Sequence, residues 1–165
     1  MTKRMDTKEQ IEKAMELFRE AYRHQMAGDL ETAMRLYQES INSYPTAEAN
    51  TFLGWTYSFQ GRYEEAIEEC HKAIAVDPDF GNPYNDIGSY LIHLGKLDEA
   101  IPWLERAMVA KRYEPRHFPH ANLGRVYLAK GDLLKAAREF GKALEIEPRY
   151  VYARRALAAL AARLN

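Results

Sequence analysis

Four glycines, Gly28, Gly61, Gly95 and Gly131, stand 33, 34 and 36 residues apart, and the residues around them recur at fixed offsets. Seven positions before each glycine lies a small residue (Ala21, Gly54, Gly88, Gly124), and four before it a larger one (His24, Tyr57, Leu91, Tyr127). Five positions after it comes alanine (Ala33, Ala66, Ala100, Ala136), and nine after it Tyr37, Cys70, Leu104 or Phe140. Twelve after it stand Ser40, Ala73, Ala107 and Ala143. A period of this length marks a chain of stacked supersecondary units. Offsets of three, four and seven set the small and large residues on one stripe of a helix, and a lone glycine supplies the left-handed residue that ends it. Each period therefore reads as a hairpin of two helices that cannot bury its apolar face without a neighbour. Pro45, Pro78 and Pro148, seventeen residues after three of the glycines, stop the second helix.

With these slots filled, the sequence resembles the tetratricopeptide repeat family over about residues 14 to 150. The best copies read AEANTFLGWTYSFQGRYEEAIEECHKAIAVDPDF from Ala47 and HFPHANLGRVYLAKGDLLKAAREFGKALEIEPRY from His117. The resemblance implies an all-α, right-handed superhelical solenoid of antiparallel hairpins with about nine helices and no strand. A single domain is expected over 1–165: an N-terminal extension of the first helix (1–13), repeats at 14–46, 47–80, 81–116 and 117–150, and a capping helix at 151–165. Helices are predicted at about 7–27, 30–43, 47–60, 63–76, 82–94, 97–110, 118–130, 133–146 and 150–163, the first opened by a capping box of Thr7 and Gln10.

The 23 Lys and Arg against 24 Asp and Glu give a net charge of −1, so the chain has no electrostatic footprint for nucleic acid or an anionic membrane. One cysteine cannot close an internal disulfide. No apolar run follows the basic N-terminal residues, and no stretch approaches the roughly 18 apolar residues a membrane span needs. A cytoplasmic protein without membrane insertion is expected.

Three departures from the period bear on function. Glu20 stands where other repeats have Leu53, Ile87 and Leu123, and His24 stands in an apolar slot; four apart on a helix, they read as a mutual pair or as a pH-sensitive contact. The segment Lys111 to His120 is longer than its counterparts, and its Arg112, Tyr113, Arg116 and Phe118 mix cation and aromatic as interface anchors do, although a two-residue insertion can equally be drift. The last helix carries Leu157, Leu160 and Leu164 with only Arg154, Arg155 and Arg163 as charges, which suggests either a homodimer through this end or simple packing on the preceding helix.

Catalytic constellations are weak. Cys70 fills a packing slot and His71 points about 100° away from it. His117 and His120 are three apart but have no acidic or cysteine partner at metal spacing, so neither metal nor cofactor is expected. Glu64, Glu65, Glu68 and Glu69 read as a solvated face. The chain is therefore expected not to be an enzyme.

The resemblance implies that ligands contact the first helix of each hairpin, at Met15, Phe18, Arg19 and Tyr22; Glu48, Thr51, Phe52 and Trp55; Asn82, Asn85, Asp86 and Ser89; and Phe118, Ala121, Asn122 and Arg125. The first half of such a groove is aromatic, unless those rings serve packing between first helices; the second half can hydrogen-bond a peptide backbone or carboxylate. The Lys and Asn set with which chaperone-tail binders of the family hold two carboxylates is absent. An adaptor for a protein or peptide segment is the function implied, with a small chaperone for a secreted or assembling client as the alternative.

Overall fold

The computed structural model describes residues 5–165. Among them are nine α-helices: α1 (Thr7–Met26), α2 (Leu30–Ser43), α3 (Ala47–Phe59), α4 (Tyr63–Val76), α5 (Asn82–His93), α6 (Leu97–Val109), α7 (His117–Ala129), α8 (Leu133–Ile146) and α9 (Val151–Leu164). Every expected helix is present, with ends within one residue of those predicted. The described residues hold no strand, only an isolated parallel bridge between Phe80 and Arg112.

The hairpin joints follow from the glycines. Gly28, Gly61, Gly95 and Gly131 have φ of 83°, 71°, 75° and 80°, the left-handed region that favours glycine. In that conformation the next residue donates its N–H back into the finished helix: Asp29 to the His24 carbonyl (2.9 Å), Arg62 to Tyr57 (3.1 Å), Lys96 to Leu91 (2.9 Å) and Asp132 to Tyr127 (2.9 Å). The same residue is the N-cap of the following helix, so one glycine closes a helix and positions the start of the next. Asp29 and Asp132 also cap with their carboxylates, on Thr32 N–H (3.2 Å) and Lys135 N–H (3.1 Å).

The chain forms two compact units, one ending at Pro78 and one running from Asp79 to Asn165. In the first, α1 packs on α2 and α3 on α4, and α2 joins the two hairpins against α3. Its core holds Ala21, Ala33, Leu36, Tyr37 and Leu53. In the second, α5 packs on α6 and α7 on α8, with α6 against α7 and α9 laid on α8. Ala153 and Leu160 of α9 are buried with Ala121, Ala136, Phe140 and Ala143, so Leu160 does pack on the preceding helix. Val151, Tyr152 and Leu164 remain exposed. Close approach explains the small slots: a Cβ on Gly54 would lie 2.8 Å from the Ala66 carbonyl oxygen, and one on Gly124 would lie 2.8 Å from the Phe140 ring.

Two expectations at the first hairpin need correction. The capping box is Asp6 and Glu9, one residue earlier than Thr7 and Gln10: Asp6 accepts from Glu9 N–H (2.8 Å) and Glu9 accepts from Asp6 N–H (3.0 Å). His24 pairs with Asp29 (3.0 Å) and not with Glu20, because the Gly28 turn brings the next N-cap back beside the helix end. Glu20 is exposed. Its counterpart Leu53 packs back on Leu36 and Tyr37 of the preceding hairpin.

Candidate functional site

The first helices of the hairpins carry two surfaces, one in each unit. On α1 and α3 the four-residue helical spacing stacks rings along one face. Phe52 meets Phe18 edge-on at 5.2 Å, Tyr22 at 5.8 Å and Trp55 at 5.6 Å, and Trp55 reaches Phe59 at 5.1 Å. Phe18 and Phe52 also lean on the core beside Tyr37, at 5.6 and 6.2 Å. They serve packing between first helices with one side and present an edge with the other. Tyr22 and Phe59 are the exposed rings, at 41% and 54%. Thr51 offers nothing to a ligand: it is buried, and its hydroxyl donates to the Ala47 carbonyl one turn back (2.7 Å). Ahead of the rings a cleft of about 460 Å³ opens between α1 and α3, lined by Ile11, Ala14, Met15 and Phe18 with Arg19 and Glu48 at its edge. Arg19 is exposed.

On α5 and α7 the surface is polar and internally bonded. Arg125 donates to the Asn122 carbonyl oxygen (3.0 Å), and Asn122 donates its amide to the Asn85 carbonyl oxygen across the helix pair (3.0 Å). Asp86 sits at the foot of this chain. Burial lifts its carboxyl to about 7, with the Asn85 amide beside it pulling the other way. The field of Asp86 adds to the burial that raises the Tyr113 phenol, and Arg116 opposes both. His93, further along α5, is lowered by burial and then by Arg125. Asn82 and Ser89 flank Asp86, half-buried. Asn85, Asp86, Asn122 and Arg125, four of the residues expected to meet a ligand, thus form one linked cluster.

The longer segment before α7 is a fastener. Gly81 N–H donates to the Arg112 carbonyl and Arg112 N–H to the Asp79 carbonyl, both at 3.0 Å. Tyr113 is 4% exposed and lies so close under Gly81 that a Cβ there would be 2.4 Å from its own. The Arg112 guanidinium covers the Phe80 ring at 4.5 Å. Arg116 donates to the carbonyls of Met108 and Ala110, the latter at 2.8 Å, and so closes the end of α6. Expected as interface anchors, Tyr113 and Arg116 are turned inward; Phe118 stays at the surface, edge-on to Tyr150 at 5.6 Å.

Inside the hairpins lies a feature the sequence reading missed. Glu69, expected in a solvated face, is 6% exposed and accepts from Asn50 (2.9 Å) and Lys72 (2.7 Å). In the fourth hairpin Glu139 repeats the arrangement with His120 (2.8 Å) and Lys142 (2.9 Å). The signal was in the spacing: Asn50 and His120 lie 11 residues before the turn glycine, Glu69 and Glu139 lie 8 after it, and Lys72 and Lys142 lie 11 after it. Cys70 is fully buried. Among the described residues no three His, Cys, Asp or Glu side chains gather as a metal ion would require, and no helix is long and apolar enough to cross a membrane.

Family models of the tetratricopeptide repeat match residues 17–47, 47–80, 84–112 and 117–150. The chain is 35% identical over 100 residues to the protein O-mannosyl-transferase TMTC2 of Homo sapiens, covering 58% of this chain and 12% of that protein. Against the human mitochondrial import receptor subunit TOM70 it is 25% identical over 146 residues, 83% of this chain and 22% of the receptor subunit. The chain therefore spans less than a quarter of the length of these curated relatives. Among solved structures, PilF of Pseudomonas aeruginosa superposes with a TM-score of 0.86 at 22% identity, covering 93% of this chain and 70% of PilF. YrrB, described as a TPR protein with an unusual peptide-binding site, superposes with a TM-score of 0.67 at 22% identity, over 91% of this chain and 77% of YrrB.

Proposed function

Because the chain belongs to the tetratricopeptide repeat family, we propose that it is a non-catalytic adaptor that holds a peptide or protein segment on the first helices of its hairpins. The observation that carries this reading is the bonded cluster of Asn85, Asn122 and Arg125 with Asp86, a half-buried polar surface that closes no hairpin and caps no helix. The edges of Trp55 and Tyr22 on α3 and α1 supply an apolar contact of the kind that carries binding energy at interfaces. A peptide-binding site is attributed to YrrB, and at 22% identity that likeness supports the fold while the chemistry of the two first-helix surfaces supports the role. A cytoplasmic location belongs to the same proposal, as does self-association through the exposed Val151, Tyr152 and Leu164 of α9, which a sedimentation series over concentration tests.

The test is capture of partners from native lysate by the wild type and by the double variant Trp55→Ala with Asn122→Ala, after circular dichroism establishes equal helicity. A partner held by the wild type and released by the variant supports the first-helix surface. A partner held equally by both would reject it. A client that stays folded only while this protein is present would turn the adaptor reading into the chaperone one.

A further inference from the structure

Two carboxylates among the described residues are buried, Glu69 and Glu139, and both have obvious company. Glu69 receives Asn50 and Lys72, and Glu139 receives His120 and Lys142, so each buried anion has a cation and a second donor. By contrast, no cation among the described residues pairs with the partly exposed Asp86. Its polar neighbour on α5 is the neutral Asn85 amide, and the titratable group facing it from the segment before α7 is the Tyr113 phenol. The cations nearby are committed to neutral oxygens or to rings: Arg125 of α7 to Asn122, Arg116 to the carbonyls of Met108 and Ala110, and Arg106 of α6 to the faces of Tyr84 and Trp103 at 4.7 and 4.8 Å. Asp86 accepts from the neighbouring Asn85 amide but caps no helix end. It lies mid-way along α5, whose N-cap is Gly81, and no ion pair to it is seen among the described residues. It is nonetheless half-open to solvent beside Asn82 and Ser89, on the surface assigned above to the ligand.

Resting on the adaptor reading, we propose that Asp86 is the selectivity group of the α5 and α7 surface and takes a basic side chain, Lys or Arg, of the segment bound there. The ligand would bring the counter-ion that the fold withholds, and the desolvated site makes that pairing stronger than one on open surface. An acidic side chain or an uncharged one at that point would leave the carboxylate uncompensated or oppose it. The pH dependence follows with its sign. The raised carboxyl is neutral below about 7, and in the free protein the stability of the neutral form is fully present below the usual aspartate range and lost as pH rises through 7. A bound cation favours the ionised form, so affinity for a basic segment rises as pH climbs through the same interval.

The probe is a set of fluorescein-labelled decapeptide pools, randomised except for one central position fixed as Lys, Arg, norleucine or Glu. Binding is read by anisotropy at pH 6 and pH 8 for the wild type and Asp86→Asn. Asp86→Asn is expected to fold at least as stably as the wild type at pH 8, since it removes an uncompensated carboxylate, and circular dichroism checks this. The Lys and Arg pools should bind the wild type about tenfold more tightly than the norleucine pool at pH 8. That preference should shrink at pH 6 and vanish in Asp86→Asn. Pools that bind the wild type without favouring a base, or a preference that survives in Asp86→Asn, would overturn the role of Asp86 and leave the adaptor reading standing. Failure of every pool to bind would remove the adaptor reading and this inference with it.

Discussion

The second and fourth hairpins hold their two helices together with a buried carboxylate, and the third holds them together with stacked rings in the same three slots. Where hairpin two has Asn50, Glu69 and Lys72, and hairpin four has His120, Glu139 and Lys142, hairpin three has Tyr84, Trp103 and Arg106. Tyr84 and Trp103 stack at 6.1 Å, and Arg106 lies over both. In hairpin one the first two slots are Leu17 and Leu36, both packed in the core. Three chemistries thus satisfy one geometry. What the slots conserve is a pair of side chains long enough to bridge the helices, and in three of the hairpins a cation whose stem covers the bridge. The carboxylate version depends on every donor being in place, while the ring version degrades gradually as contact area is lost.

Substitutions should separate the two kinds. Glu69→Ala and Glu139→Ala are expected to cost the most, on the order of 3 kcal/mol each, because each strands a buried amide or imidazole as well as losing its own bonds. Urea unfolding followed by circular dichroism measures this, and a cost below that of Trp103→Ala would break the comparison. Trp103→Ala should cost about 2 kcal/mol, as the ring is only partly buried. Acid should also discriminate. Burial pushes the Glu139 carboxyl up, but the bonds from His120 and Lys142 prevail and hold it below the ordinary glutamate value of 4.5. The stability it contributes is present above about pH 4.5 and lost as pH falls through the lower folded value, so Glu139→Gln should flatten the acid limb of the stability curve while Trp103→Phe leaves it unchanged. The smallest effects belong to the outer cations: Arg106→Lys should cost about 0.5–1 kcal/mol for the lost ring contact, and Lys72→Met less, since its head is largely in solvent.

The fold was legible because one residue type, glycine at a helix end, has a single backbone reason to recur, and all four turn glycines take the positive φ that reason demands. Asn85, Asp86, Asn122 and Arg125 were singled out only because the family resemblance implies ligand contacts at those positions, and the structure adds the bonds that link Asn85, Asn122 and Arg125. What escaped was pairing between elements. Asp6 and Thr7 are both capping residues and Glu9 and Gln10 can both close a capping box, so the pattern fits either register of the first cap. Thr51 looks like a surface residue until its hydroxyl is seen turned onto its own helix. Tyr113 and Arg116 have the composition of an interface and the position of a clamp, and only the return of the segment beneath Gly81 tells them apart. Glu69 was read with its acidic neighbours, although its period matched Glu139 and Trp103.

A self-similar chain faces a hazard that an irregular one does not: any first helix can meet the wrong second helix and find the small and large residues it needs. The bridging slots remove that freedom. Were α3 to fold against α6, Asn50 would confront the Trp103 ring and Glu69 would be left without a donor from its missing partner; were α5 to fold against α8, Tyr84 would cover the Glu139 carboxylate. Each such pairing carries a desolvation penalty that the native one lacks, so the slots act as an address, distinguishing the helices with bridging chemistry where their packing faces are nearly the same.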